Sequence, residues 1–260
     1  MAKIIREHIH TLLEKGMRQD KRGLLEFRKD ISVEYGISPK SAEGSARVRI
    51  GETEVVAGIK MAIAEPYPDQ KDRGTIMVGV ELSPFANNSF ESGPPSTESI
   101  ELARVVDRGI RESGAMDFRK LCIKEGEKVW QVFIDIYPIN DAGNLRDASS
   151  LAALAALKDA KFPEYDKKTF EIDYKKLTSK NISLEDEPIE VTVIKIKDDY
   201  LVDPSVEEEE WLDARLTVAF LKDGDICAMQ KGGNGMLSTE DINKMIDIAQ
   251  DKVIVLRKAL

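Results

Sequence analysis

Acidic side chains crowd one short stretch of this 260-residue chain: Asp203 is followed by Glu207, Glu208, Glu209 and Glu210, then by Asp213. Carboxylates at this density can hold a divalent cation or share general acid and base duties. The same density is ordinary for a solvated loop, and spacing alone favours that reading. A second constellation is cationic. Arg104, Arg108 and Arg111 recur at i, i+4 and i+7, so a helix would carry three guanidinium groups on one face. Guanidinium forks take phosphate oxygens in pairs, which makes the row a candidate for holding a nucleic-acid backbone. Its competitor is a solvated face laced by Asp107–Arg111 and Arg108–Glu112 ion pairs at helical spacing.

Other chemistries fall away. His8 and His10, the only histidines, stand two apart on an expected helix and point about 200° from one another, so they cannot share a metal. Cys122 and Cys227 sit in apolar stretches with no histidine to activate them, which argues against a zinc site, a cysteine nucleophile or a disulfide scaffold. Gly232-Gly233-Asn234-Gly235 lacks the lysine and hydroxyl of a phosphate-binding loop and reads as a plain loop. No metal and no cofactor are expected.

Composition sets the class. Apolar content of 42% with 33% charged residues fits a folded soluble chain. No apolar run approaches the roughly 20 residues of a bilayer span. Acid and base alternate within the first turns, so no signal-peptide core is expected, no membrane partner, and a cytoplasmic location. Against 38 basic residues stand 47 acidic ones, a net charge of -9. That balance excludes a whole-surface polyanion binder, yet a local basic field remains possible.

The elements that must position these residues follow from periodicity. The first sixteen residues read as an amphipathic helix with Ile4, Ile5, His8, Leu12 and Leu13 inward and Gly16 as its stop. Met17 to Lys29 is a charged connector. Ala46–Ile50 and Thr53–Ile63 read as a hairpin around Gly51-Glu52. A helix is expected from Thr97, with Leu102, Val106 and Ile110 as its stripe. Lys128–Tyr137 reads as a central strand, and Asn144–Leu157 as a buried helix. Residues 158–188, polar and with Pro163 and Pro188, mark a boundary between two units. Beyond it, strands 215–221 and 226–230 flank an Asp223-Gly224 turn. A final helix then opens at Ser238 and presents Ile242, Met245, Ala249, Val253 and Leu256 to the core.

Three segments carry more than periodicity. They are Ser45-Ala46-Arg47-Val48-Arg49-Ile50-Gly51-Glu52-Thr53-Glu54-Val55-Val56-Ala57-Gly58, the strand from Trp130 to Tyr137, and Asp203-Pro204-Ser205 entering the acidic run. Together they resemble the RNase PH family of phosphorolytic 3′-to-5′ exoribonucleases. The run Ile100–Gly109 and Gly93-Pro94-Pro95 resemble, more narrowly, the family's non-catalytic branch in the archaeal exosome. The resemblance implies an α+β, RNase PH-like fold of two βα units with mixed sheets packed on helices. Domain 1 would span 1–185, including a helical arm to about residue 29, and domain 2 would span 186–260. It also implies a hexameric ring in which this chain alternates with a catalytic RNase PH-like subunit, three of each. Cap subunits that bind RNA would sit on the ring, and single-stranded RNA would pass through it.

Active members of the family hold phosphate with a Gly-Ser/Thr-Arg element at a helix start. The matching residues here are Asp141-Ala142-Gly143-Asn144-Leu145-Arg146-Asp147, where Asn144 and Leu145 replace the glycine and the hydroxyl. Asp147 adds a negative charge that at ~4 Å and intermediate dielectric would repel phosphate by about 4 kcal/mol. Asn144 and Asp147 together read as a helix cap. Of the family's two catalytic aspartates, Asp203 matches the first and Glu209 falls near the second. The resemblance therefore implies no catalytic residue on this chain. It implies RNA-backbone contacts from Arg104, Arg108 and Arg111, with Arg146 as a lesser candidate. The alternative is an active phosphate-dependent exoribonuclease that tolerates Leu145 and Glu209.

Overall fold

A computed structural model describes residues 2–260, with side chains from residue 6 onward. Helix α1 (Ala2–Leu13) is followed by strand β1 (Ser32–Tyr35) and the hairpin of β2 (Gly44–Ile50) and β3 (Thr53–Ala64). Gly51 at the hairpin tip has φ +57° while Glu52 stays out of the left-handed region, as a type II′ turn requires. Strand β4 (Thr75–Val80), helix α2 (Thr97–Glu112), strand β5 (Cys122–Lys124), strand β6 (Lys128–Asn140) and helix α3 (Leu145–Asp159) come next. The large sheet has the order β1-β2-β3-β6-β4, with β5 also against β6. Only β4, at its edge, runs parallel to its neighbour.

The stretch read as a boundary is mostly ordered. Strands β7 (Lys161–Tyr165) and β8 (Ile172–Asn181) pair into a ribbon whose lysines hid its strand character. Phe162 and Tyr165 of that ribbon lie against Trp130, with ring centroids 5.6 and 5.5 Å away. Strands β9 (Ile189–Ile196) and β10 (Asp199–Val202), the short helix α4 (Val206–Glu210), strands β11 (Ala214–Phe220) and β12 (Ile226–Gly232), and helix α5 (Thr239–Arg257) complete the chain. Their sheet has the order β10-β9-β11-β12. Sheets packed on helices give the α+β arrangement expected, although only the large sheet is mixed and the second is wholly antiparallel.

Helix α3 holds the two halves together. Every residue from Leu145 to Leu157 is buried, because the helix touches β2, β3 and β6 on one side and β9 on the other. A helix enclosed all round needs small residues for close approach, and Ala148, Ala152, Ala153, Ala155 and Ala156 supply them. The main apolar cluster consequently runs through both sheets, and a smaller one lies between α1 and the second sheet.

The helices follow expectation in part. Helix α2 starts at Thr97 as expected, with Ser96 as its cap, whose Oγ accepts from the Ser99 N–H. In α1 the inner face is set one residue away from the expected one: Ile9 and Leu13 are buried against Ile194, Ile196 and Leu201, and His8 is exposed. The side chains of Ile4 and Ile5 lie outside the described residues. Helix α5 opens with the capping box of Ser238 and Asp241 and buries Met245, Ala249, Val253 and Leu256, while Ile248 joins them and Ile242 is only half-buried. Among the described residues no helix is long and apolar enough to cross a membrane.

Close packing of α3 makes a clear prediction. A Cβ on Gly44 would fall 2.5 Å from the Ala156 carbonyl and the Ala160 backbone, whereas one on Gly58 would meet only Ala42 Cβ at 3.8 Å. Gly44→Ala should cost about 1–3 kcal/mol of stability and Gly58→Ala close to nothing, as read by chemical denaturation.

Candidate functional site

The acidic run is not a solvated loop. Asp203 is fully buried, in the left-handed region at φ +48°, and its carboxylate accepts five hydrogen bonds. Oδ1 takes Arg28 Nη2 at 2.7 Å and Asn144 Nδ2 at 3.1 Å. Oδ2 takes Arg22 Nη1 at 2.8 Å, the Arg28 backbone N–H at 2.6 Å and Arg28 Nε at 3.0 Å. Glu208 is buried too: it forms a capping box with Ser205 and an ion pair with the fully enclosed Arg18. Only Glu207 and Glu210 face solvent, and Asp213 Oδ2 accepts the Lys197 N–H at 2.6 Å. Sequence reading missed Arg18, Arg22 and Arg28. The available signal was a connector rich in arginine facing a chain with one unusually dense acidic run.

A second carboxylate occupies the start of α3. Gly143, at φ +94°, lets the chain pass so close to the 204–205 backbone that a Cβ there would lie 2.2 Å from the Pro204 carbonyl. Asn144 follows in the left-handed conformation and makes no side-chain cap. Its Nδ2 instead donates to Asp147 Oδ2 at 3.0 Å and to Asp203, so the expected Asn144–Asp147 cap is a contact between side chains. The Asn144 backbone N–H points at Glu209 Oε1, 3.2 Å away, and Arg146 Nη1 stands 3.8 Å from the same oxygen. A carboxyl group from within the chain thus fills the positive end of α3. Burial pushes the Glu209 carboxyl up to about 7, against the pull of Arg146.

Behind it, Asp147 is fully buried and burial pushes its carboxyl up to about 7, although Asn144 and the Thr192 N–H (2.8 Å) both donate to it. Glu190 on β9 is raised well above its ordinary value by burial and then by the nearby Asp147. Arg146, expected among the RNA contacts, is itself buried beside Glu209, with its Nε unpartnered among the described residues. It is not presented with the arginine row.

The row itself divides. Helix α2 turns Leu102, Val105, Val106, Gly109 and Ile110 inward and leaves the arginines outside. Arg111 binds Asp107 through Nε (3.0 Å) and Nη2 (2.7 Å), and Nη2 also donates to the Ile76 carbonyl of β4 at 3.1 Å. The Asp107–Arg111 pair foreseen from spacing therefore forms. Arg108 is exposed and donates to Gln230 Oε1 at 2.9 Å, in place of the foreseen pair with Glu112. Arg104 is exposed and, among the described residues, makes no ion pair or hydrogen bond. Arg104 and Arg108 line a groove of about 500 Å³ between α2 and β4.

Family models decide the kinship. Domain 1 of the 3′ exoribonuclease (RNase PH) family matches residues 26–163, and its domain 2 matches residues 186–252. The chain belongs to the RNase PH family. It is 48% identical to a protein of Methanocella arvoryzae named exosome complex component Rrp42, over 100% of this chain and 96% of that one. A solved Archaeoglobus fulgidus exosome with RNA bound to the active site contains a chain 45% identical, with TM-score 0.89 and coverage of 99% and 98%. A chain of a solved archaeal exosome core is 42% identical, with TM-score 0.86 and coverage of 99% and 96%. Within this RNase PH chain, the ribbon strand β8 falls between the two matched segments.

Two outcomes follow from the buried carboxylates. Asp203→Ala would leave Arg28 without a carboxylate partner and Arg22 with Asp20 alone, and should cost ~3–5 kcal/mol, measured by urea denaturation. Asp147 binds its proton more tightly folded than unfolded, so stability should fall as pH rises from about 4, the unfolded value, to about 7. Asp147→Asn should flatten that slope.

Proposed function

We propose that this chain is the non-catalytic RNase PH-type subunit of an archaeal exosome, a cytoplasmic complex that shortens RNA from its 3′ end. It alternates with a catalytic RNase PH-like subunit in a ring of three copies each, beneath RNA-binding cap subunits. Its two RNase PH domains span 1–185, with the N-terminal arm, and 186–260.

The observation that carries the non-catalytic reading is Glu209. Its carboxylate sits on the Asn144 N–H beside Arg146, at the helix start where active relatives are expected to hold phosphate. Inorganic phosphate cannot share that place with a carboxyl group already seated on the same N–H. Leu145 also offers no hydroxyl there, and Asp203 has its lone pairs committed to arginines. No bond-making step is assigned to this chain.

Its contribution is electrostatic. Arg104, free of partners among the described residues, and Arg108, held only by a neutral glutamine, meet successive phosphates of a single strand. Arg111 ties α2 to the edge of the sheet and so fixes the direction in which the other two point. The RNA end is thereby held for the neighbour's active site, and the chain completes that site without reacting.

Phosphate-dependent trimming of a single-stranded RNA should be absent with this chain alone and raised when the catalytic partner is added. Release of nucleoside diphosphates by the isolated chain would establish an active nuclease instead. In the assembled ring, Arg104→Glu and Arg108→Glu should each weaken RNA binding and lower the salt slope by about 0.7 for each phosphate no longer neutralised. Unchanged affinity would reduce the row to a structural one.

A further inference from the structure

A second, larger concavity lies on the other side of the start of α2. It has a volume of about 1110 Å³, above the roughly 300–1,000 Å³ of ordinary small-molecule pockets. Its walls are the end of β4, the loops on either side of residues 85–88, the first turn of α2 and β6 at Asp135–Tyr137. Glu81, Glu91, Glu98 and Asp135 line it, and no lysine, arginine or histidine does. Among the described residues none of these four carboxylates makes an ion pair.

Asp135 is the most telling of the four. It is half-buried on β6, opposite Gly79 of β4, and burial alone raises its carboxyl above the ordinary range. A Cβ on residue 79 would stand 3.4 Å from Asp135 Oδ1, so glycine keeps the approach to that oxygen open. Tyr137 and Phe90 add aromatic faces, which attract cations in their own right.

This chemistry selects the occupant. RNA is repelled by four uncompensated carboxylates. A lone metal ion does not fit either, because among the described residues no three acids gather closely enough to hold one. The β4 edge is partly spoken for, with Ser99 Oγ on the Val80 carbonyl (2.6 Å) and Arg111 on that of Ile76, so recognition falls to side chains and not to strand addition. We infer that this cleft receives an extended, lysine- or arginine-bearing segment of the neighbouring ring subunit, whose cations meet Glu81, Glu91, Glu98 and Asp135. The inference rests on the ring reading proposed above and assigns the charge pattern of the contact.

Glu91 and Glu98 lie on an exposed loop and an exposed helix turn, so their replacement leaves the fold intact. The double variant Glu91→Lys/Glu98→Lys, the wild type and a control, Asp247→Lys on the exposed side of α5, would each be titrated with the purified catalytic partner. The double variant should raise the dissociation constant at least about tenfold, ~1.4 kcal/mol, and flatten its salt dependence, while the control matches the wild type. Equal binding by the double variant and the wild type overturns the docking proposal and leaves the ring reading standing. A wild type that fails to bind the partner overturns both. Tighter RNA binding by the double variant with unchanged assembly would make the cleft an RNA path, and would also overturn the proposal.

Discussion

The buried carboxylate of Asp203 is the constraint around which the rest of the molecule is arranged. A charge with no solvent contact is tolerated only where donors and opposite charge surround it. Here the donors come from separate parts of the chain: Arg22 and Arg28 from the connector after α1, and Asn144 from the start of α3. Arg28 reaches on to the carbonyls of Ala142 and Gly143, and Arg18 to those of Val202 and Asp203. One ionised group therefore fixes the arm, the central helix and the second sheet in one geometry. The same commitment makes Asp203 unsuitable as an acid or a metal ligand.

Glu209 carries that logic to the positive end of α3. A helix start with a free N–H and an arginine beside it attracts anions, and leaving it empty in a half-buried setting would be costly. The chain supplies the acceptor itself, the Glu209 carboxyl, from a helix one turn and a half long that Ser205 and Glu208 cap. Gly143 permits the approach, because only a residue without a side chain can pass the Pro204 carbonyl there. On the non-catalytic reading proposed above, loss of phosphate chemistry and gain of structural closure are a single change in how the helix start is satisfied.

Much of the fold was legible because its signals are local. Alternation gave β3 and β6, the Gly51 and Gly224 turns announced their hairpins, and Ser238 with Asp241 marked the last helix. The alanine-rich run of α3 identified it as buried before any partner was known. What stayed hidden depends on contacts across the sequence. Asp203 and Arg28 are 175 residues apart, and nothing in either neighbourhood tells that they meet. The acidic run looked solvated for the same reason, since a buried glutamate such as Glu208 differs from an exposed one only in what faces it. The arginine row was readable as a face, but only tertiary contacts separate Arg111, bound to Asp107 and Ile76, from Arg104.

Net charge and local field part company along α2. A chain of charge -9 is repelled by RNA at long range, yet binding responds to the potential within a Debye length, roughly 8–10 Å in physiological salt. Helix α2 is 16 residues long, about 24 Å at 1.5 Å per residue, so its two ends are more than a Debye length apart. Glu98 stands in its first turn, where it complements the helix dipole, and the acid-lined cleft opens there. Glu101 is neutralised by Arg215; beyond it Arg104 and Arg108 are exposed, Arg111 is tied to Asp107, and the exposed Glu112 closes the helix. Arg108, ten residues and about 15 Å beyond Glu98, is screened from it, whereas Arg104, about 9 Å away, is screened only in part. On the two proposals above, one helix presents a cation-seeking surface to a protein neighbour and a phosphate-seeking one to RNA, and its rigidity fixes the distance between them.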